Sequence, residues 1–280
     1  MSGTTTAITP VTKIGRTILG LERQLYANTG LTPVYDTSAS LNAKYSVAQT
    51  LVPTSFPPIA YFGIGIGGCF NVDSSNLTEA YPVQSTNMDL YTPIPFQCVP
   101  VEQDLSATVR ANYRMRRRMT INGNDYFLYY LKLITYNQST VQLTETDPVT
   151  KLQSPYVLDY ADLNPTHPTT GSGGTITSSA TEINAGVTCT LPLTGAEVTS
   201  VINILYNGDM RRAKISEIGL YSGQDRVISG LNASGGTVSY TEAVLAQLNM
   251  ACNTLGDDWS NPARTSSYQI IQGSGDLILM

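Results

Sequence analysis

Lys214-Ile215-Ser216-Glu217-Ile218-Gly219-Leu220-Tyr221-Ser222-Gly223, followed by Gln224-Asp225-Arg226-Val227-Ile228-Ser229-Gly230, is the stretch around which the rest of the chain is organised. Extended, it places Ile215, Glu217, Gly219 and Tyr221 on one face and Lys214, Ser216, Ile218 and Leu220 on the other. Neither face is purely apolar. Gly219 marks a bulge or a close approach of another backbone. Ser222-Gly223-Gln224-Asp225 supplies turn chemistry ahead of the β-branched pair Val227-Ile228, so the stretch reads as a hairpin. Glu217, set inside an otherwise packed element, needs a partner, and an arginine between residues 110 and 118 is the expected one. The stretch carries no nucleophile–base pair and no metal-ligand cluster, which points to architecture rather than chemistry.

Outward from this stretch, composition sets the class. The chain has 280 residues, enough to bury a large core, yet only 13% are charged and 17 are tyrosine, against 5 phenylalanines and one tryptophan. Thr, Ser, Asn and Gly are abundant, a profile that suits β-rich proteins with neutral polar surfaces that pack against copies of themselves. The net charge of −5 is modest and spread out, which argues against nucleic-acid binding. Cys69, Cys98, Cys189 and Cys252 form no C-x-x-C pattern, so neither a zinc site nor a redox motif is expected; free thiols are favoured over disulfides. The N-terminus has no basic or apolar leader region, and no window is apolar enough for a membrane helix, so a cytoplasm-made, soluble product is expected.

Taken in order, Ile14, Ile18, Leu21 and Leu25 recur at helical spacing within residues 11–26. Residues 45–52 read as a short strand. Ile59–Cys69 is an apolar strand relieved by Gly63, Gly65, Gly67 and Gly68. Its Gly-x-Gly-x-Gly-Gly run lacks the Gly-Lys-Ser/Thr ending and the following helix of a phosphate loop, so a buried strand entering a turn is the preferred reading. Two apolar runs, 105–121 and 126–136, flank Asn122-Gly123 and predict a hairpin. On its first strand Arg114, Arg116 and Arg118 share one face, either solvated or docked as an arginine ladder on a neighbouring subunit.

Residues 137–195 form a polar excursion that holds the single histidine, His167, as a loop residue, so His-based triads are excluded except around it. Val198–Tyr206 reads as a strand that turns at Asn207-Gly208, making 198–228 an antiparallel meander. Ser239-Tyr240-Thr241-Glu242 has the form of a capping box. With the stripe Val244, Leu248, Ala251, Cys252 and Leu255 and the stop at Gly256, it predicts a helix over about 240–255. Leu277-Ile278-Leu279-Met280 is an apolar tail that should be docked on its own domain or a partner. The sequence-adjacent acid pairs Glu145 with Asp147, Asp159 with Asp162 and Asp257 with Asp258 match no calcium-loop or glycosidase spacing.

The order of features resembles the attachment domains of tail-collar and baseplate-associated fibre proteins of tailed phages. Tyr61-Phe62-Gly63-Ile64-Gly65-Ile66-Gly67-Gly68 resembles their glycine-rich turn, Tyr113-Arg114-Met115-Arg116-Arg117-Arg118 their arginine-bearing strand, and Ile215–Gly223 their Glu-Ile-Gly-Leu-Tyr phrase. The resemblance spans roughly residues 10–230, without the acidic residue usual in the turn and without a counterpart for 137–195. It implies a virion structural protein that assembles with copies of itself in the tail baseplate or, next, the neck or collar.

The expected fold is mainly β, an antiparallel β-sandwich-like core with hairpins and a few short helices. The expected regions are 1–136, a loop-rich insertion 137–195, and 196–280 joined to the first. The expected function is a non-enzymatic, homo-oligomeric adaptor of the phage tail, located in the virion, with other tail proteins as partners, no membrane and no cofactor. The subunit interface is expected at Arg114, Arg116, Arg118 and Leu277, Ile278, Leu279, Met280, with Glu217, Gly219 and Tyr221 as the structural signature. The rival is a carbohydrate-binding β-sandwich module that stacks sugars on the tyrosines of 126–136, although tyrosines on both faces of that strand favour burial.

Overall fold

A computed structural model describes residues 12–31, 38–48, 57–72, 77–137, 139–147, 150, 152–157, 182–232 and 234–274. The chain divides into two compact units, residues 1–134 with 193–266, and residues 135–192 with 267–280. Both are built from antiparallel strand pairs, and the protein is mainly β with short helices.

In the first unit the elements run β1 (Lys13–Arg16), α1 (Ile18–Thr29), α2 (Leu41–Tyr45), β2 (Ile59–Gly65), β3 (Cys69–Val72), β4 (Leu77–Ala80), β5 (Pro93–Ile94), β6 (Gln97–Pro100), α3 (Ala107–Arg110), β7 (Tyr113–Ile121) and β8 (Asn124–Leu133). The second unit contributes β9 (Thr135–Tyr136), β10 (Gln142–Thr146), β11 (Gln153–Pro155) and most of β12 (Glu182–Thr194). The chain then returns as α4 (Gly195–Leu205), β13 (Lys214–Leu231) and β14 (Thr237–Asp258), and β15 (Thr265–Ser274) leads back to the second unit, where the sheet order is β11-β10-β12-β15.

The large sheet of the first unit follows the order β1-β14-β13-β2-β8-β6, with β5 added to β2 and β7 to β8. β13 is its central strand. On one side it pairs with β2, Glu217 opposite Gly65 and Tyr221 opposite Tyr61; on the other it pairs with β14, Gly219 opposite Ala251. Residues 215–223 of β13 are buried without a break. Its alternation is blurred because both faces are covered. The core around it gathers Leu41, Tyr45, Leu90, Met115, Leu131, Tyr221 and Leu248.

The Asn122-Gly123 hairpin forms as expected, with positive φ at both residues, 50° and 81°, and Ile121 opposite Asn124. The glycine-relieved strand also forms, as β2 leading into a turn. Four expectations are corrected. Residues 240–255 are not a helix but the middle of β14: with both faces buried, the strand loses its period-two signal and its apolar residues fall at helical spacings by coincidence. The helix lies instead at α4, where a strand was expected. Thr194 and Glu197 form a true capping box there, and Asn207-Gly208 closes the turn after it. Ser222–Asp225 makes no hairpin turn; the register shift between Ser222 and Gln224 is a bulge, and β13 runs on to a turn in which Asn232 N–H bonds Gly236 O. Of the strand expected over 45–52, Tyr45 ends the helix α2 and residues 46–48 form no strand, while 49–52 lie outside the described residues. The N-terminal helix begins at Ile18, after the short edge strand β1.

Candidate functional site

Glu217 is almost fully buried, and its carboxylate is held by main chain rather than by an arginine. Oε1 accepts from Tyr91 N at 2.6 Å, and Oε2 accepts from Gly67 N and Thr92 N, each at 2.9 Å. The neighbouring Ser216 Oγ accepts from Gly68 N at 2.8 Å. The expected arginine partner is therefore corrected: backbone donors satisfy the charge at shorter reach and without burying a second ion. Burial pushes the Glu217 carboxyl above its ordinary range, and the three backbone donors pull it back.

This arrangement explains the glycines of the preceding turn. A Cβ on Gly65 would sit 2.4 Å from Glu217 Oε2, and one on Gly68 would sit 2.2 Å from the carbonyl oxygen of Ser216. The glycine-rich turn and the Glu-Ile-Gly-Leu-Tyr phrase, 150 positions apart at Gly67 and Glu217, thus form one structural unit. Gly219 has a related role. Its missing side chain leaves room for the Tyr221 ring, whose Cε2 would lie 2.8 Å from an added Cβ.

Tyr221 crosses the core to Asp89, donating to Oδ1 at 2.8 Å, while Tyr45 OH and Lys44 Nζ donate to Oδ2 at 2.5 and 2.8 Å. Burial, reinforced by Asp89, holds both tyrosines protonated far above the usual phenol range. Residues 81–92, between β4 and β5, are thereby anchored at Asp89, Tyr91 and Thr92.

A second buried glutamate closes the large sheet. β7 and β14 are separated by β8, β2 and β13 in the strand order, yet Glu242 Oε1 accepts from Met115 N at 2.6 Å and Oε2 from Arg116 N at 2.9 Å. The sheet curls back on itself, and a side chain bridges the seam where no ladder forms. Met115 adopts φ 58°, which turns two successive N–H groups toward one carboxylate. The residues read as a capping box, Ser239 to Glu242, owe their glutamate to this seam.

The arginine face is consumed within the chain. Arg114 makes a bidentate pair with Asp225, at 2.8 and 2.7 Å, and Tyr61 OH shares the same carboxylate at 2.6 Å. Arg116 pairs with Asp104 at 2.8 Å and lies over the Phe127 ring. Both are buried, so the expectation that they dock on a neighbouring subunit is corrected; Asp225 and Asp104 neutralise them where they stand. Arg118 is exposed and pairs with Asp125. Leu277, Ile278, Leu279, Met280, His167, Asp159 and Asp162 lie outside the described residues. Cys69, Cys98, Cys189 and Cys252 form no disulfide. On opposite faces of β8, Tyr129 is buried and Tyr130 half-buried, so neither is presented as a stacking surface. Among the described residues no group of three or more His, Cys, Asp or Glu side chains converges to hold a metal, and no helix is long and apolar enough to cross a membrane.

The stripe Ile18, Leu21 and Leu25 of α1, with Ile14 of β1, faces outward, each residue keeping between 46% and 66% of its surface. The helix rests on β14 through Gly20 instead, where a Cβ would lie 2.2 Å from Asn249 O. Thr17 caps the helix and ties it down, donating from Oγ1 to Leu248 O at 2.5 Å.

No curated protein and no solved structure matches the chain. Residues 3–271 match the model of a family of unknown function, DUF7208, and the chain belongs to that family.

Proposed function

We infer that the protein is a non-enzymatic structural subunit that self-associates, an adaptor in the tail of a tailed phage, with the baseplate as its first placement and the neck or collar as its second. The observation that carries this reading is the contact between Glu217 and the Gly65–Gly68 turn. The two phrases on which the resemblance to phage attachment domains rests are partners in one buried junction, which supports reading them together as parts of one architecture. The chemistry of the carboxylates supports the same role: Glu217, Glu242, Asp89, Asp104, Asp225 and Glu197 each hold backbone N–H groups, arginines, lysines or tyrosine hydroxyls of their own unit. The outward stripe of α1 supports self-association, because an apolar row of this kind is costly to leave in water.

Light scattering coupled to size-exclusion chromatography tests the assembly, and proteomics of purified particles tests the location. The expected result is a discrete oligomer that Leu21→Glu and Leu25→Glu convert to monomer, and a stoichiometric band in virions. A wild-type protein that stays monomeric at about 50 μM, well above the micromolar affinities of ordinary interfaces, or one absent from particles, overturns the reading.

A further inference from the structure

Residues 81–92 are tied to the rest of their unit at several points. Tyr81 N–H donates to Gly68 O at 2.8 Å, Ser85 O accepts from Ile18 N at 2.7 Å, and Asn253 Nδ2 reaches Tyr81 O at 3.0 Å. Asp89 is clamped by Tyr45, Lys44 and Tyr221, Leu90 is packed in the core, and Glu217 holds Tyr91 and Thr92 by their N–H groups. A loop this well tied would ordinarily turn its large side chains inward. Instead Tyr81 and Tyr91 keep 40% and 42% of their surface exposed.

The rings are locked in that position. Tyr91 OH donates to Pro82 O at 2.8 Å, Tyr81 packs 5.7 Å from the Tyr91 ring, and Phe70 packs 4.5 Å behind Tyr81. Along the same loop lies a shallow, open cavity of about 690 Å³ whose polar lining comes from Ser38, Lys44, Gln84, Thr86, Asn87 and Asp89, with Tyr91, but not Tyr81, also lining it.

We propose that this loop is a glycan-binding site, with Tyr91 and Tyr81 as the stacking platform and the cavity as the hydroxyl-binding subsite for a neutral oligosaccharide. A pyranose ring has one apolar C–H face that packs on an electron-rich aromatic face, and a rim of hydroxyls that need amides and hydroxyls as partners. Gln84, Asn87, Ser38 and Thr86 supply that rim chemistry. A nucleotide would also stack, but its phosphates need cations, and Lys44, the cation lining the cavity, is already paired with Asp89 at 2.8 Å. The fixed loop means that little ordering entropy opposes binding. The site stands apart from the assembly role: it needs neither the phage reading nor the α1 surface.

The test uses the full-length protein on an array of immobilised neutral and acidic oligosaccharides and bacterial surface polysaccharides, followed by calorimetric titration with the neutral oligosaccharide that scores highest. Tyr91→Ala and Tyr81→Ala are each expected to weaken binding about tenfold or more, while Tyr91→Phe, which keeps the ring, stays within about threefold of wild type. Should Tyr91→Ala fail to fold, Tyr81→Ala and Gln84→Ala carry the same expectation. No array signal, binding untouched by the ring variants, a signal confined to acidic glycans and abolished by salt, or rings covered by a second copy in solution would each overturn the proposal.

Discussion

The Oε1 atom of Glu217 lies 2.6 Å from the backbone nitrogen of Tyr91, so one carboxylate on the central strand fixes a loop 126 positions away in the chain. The same carboxylate fixes the turn after β2 through Gly67. Strand, turn and loop are consequently a single cooperative unit.

Replacing Glu217 tests that unit. In Glu217→Gln a single side-chain oxygen remains to accept, and the amide NH₂ must face at least one backbone N–H. The change is expected to cost about 1–3 kcal/mol in chemical denaturation, from the mispaired buried donors. Hydrogen exchange at Gly67, Tyr91 and Thr92 should quicken together. A cost below about 0.5 kcal/mol would mean that the staple carries no stability.

Glu242 gives a pH dependence with a defined sign. Burial raises its carboxyl above the ordinary 4.5, against the pull of the Arg116, Met115 and Ala243 N–H groups. A raised carboxyl means that the fold binds the proton more tightly than the unfolded chain. Its contribution is therefore complete below the ordinary value and is lost as pH rises through the folded value. Measured as wild type minus Glu242→Gln, stability should fall as the pH rises above the ordinary carboxyl range. A difference that grows with pH would reverse the sign and refute the assignment.

Two of the three arginine pairs of β7 should differ sharply in cost. Asp225→Ala leaves Arg114 buried without its counter-ion and strips Tyr61 of its acceptor, at an expected cost of about 3–5 kcal/mol. Asp125→Ala breaks the exposed pair with Arg118 and should cost no more than about 1 kcal/mol. Equal costs for the two, read from urea midpoints, would contradict the burial difference.

Thiol reactivity reads the core. Burial pushes the Cys98 thiol up to about 12, so at pH 8 it holds almost no thiolate. Native protein treated with a disulfide reagent at that pH should leave Cys98 unlabelled while half-buried Cys69 reacts. Labelling of Cys98 should appear only with urea-induced unfolding; prompt native labelling would contradict its burial.

Much of the architecture was legible where local chemistry is strong. Asn122-Gly123 specified a hairpin because both residues tolerate positive φ, and the glycines of β2 specified a relieved, buried strand. The helix α4 carried its own signal in Thr194 and Glu197, but its Val and Ile content favoured a strand reading. The same four-residue pattern at Ser239–Glu242 was misleading, since Glu242 turned out to answer to Met115 and Arg116 across the sheet.

By itself the sequence determined the mainly β class, the β7–β8 turn and the singular character of Ile215–Gly223, because these depend on residue alternation and on backbone freedom within a few residues. Only the tertiary structure decided which groups satisfy the buried charges, that Arg114 and Arg116 point into their own fold, and that the apolar stripe of α1 and the rings of Tyr81 and Tyr91 face outward. The physical reason is that a buried carboxylate takes whichever donor the fold brings within about 3 Å, and a helix buries whichever face can approach closest. Here Gly20 against Asn249 set that face.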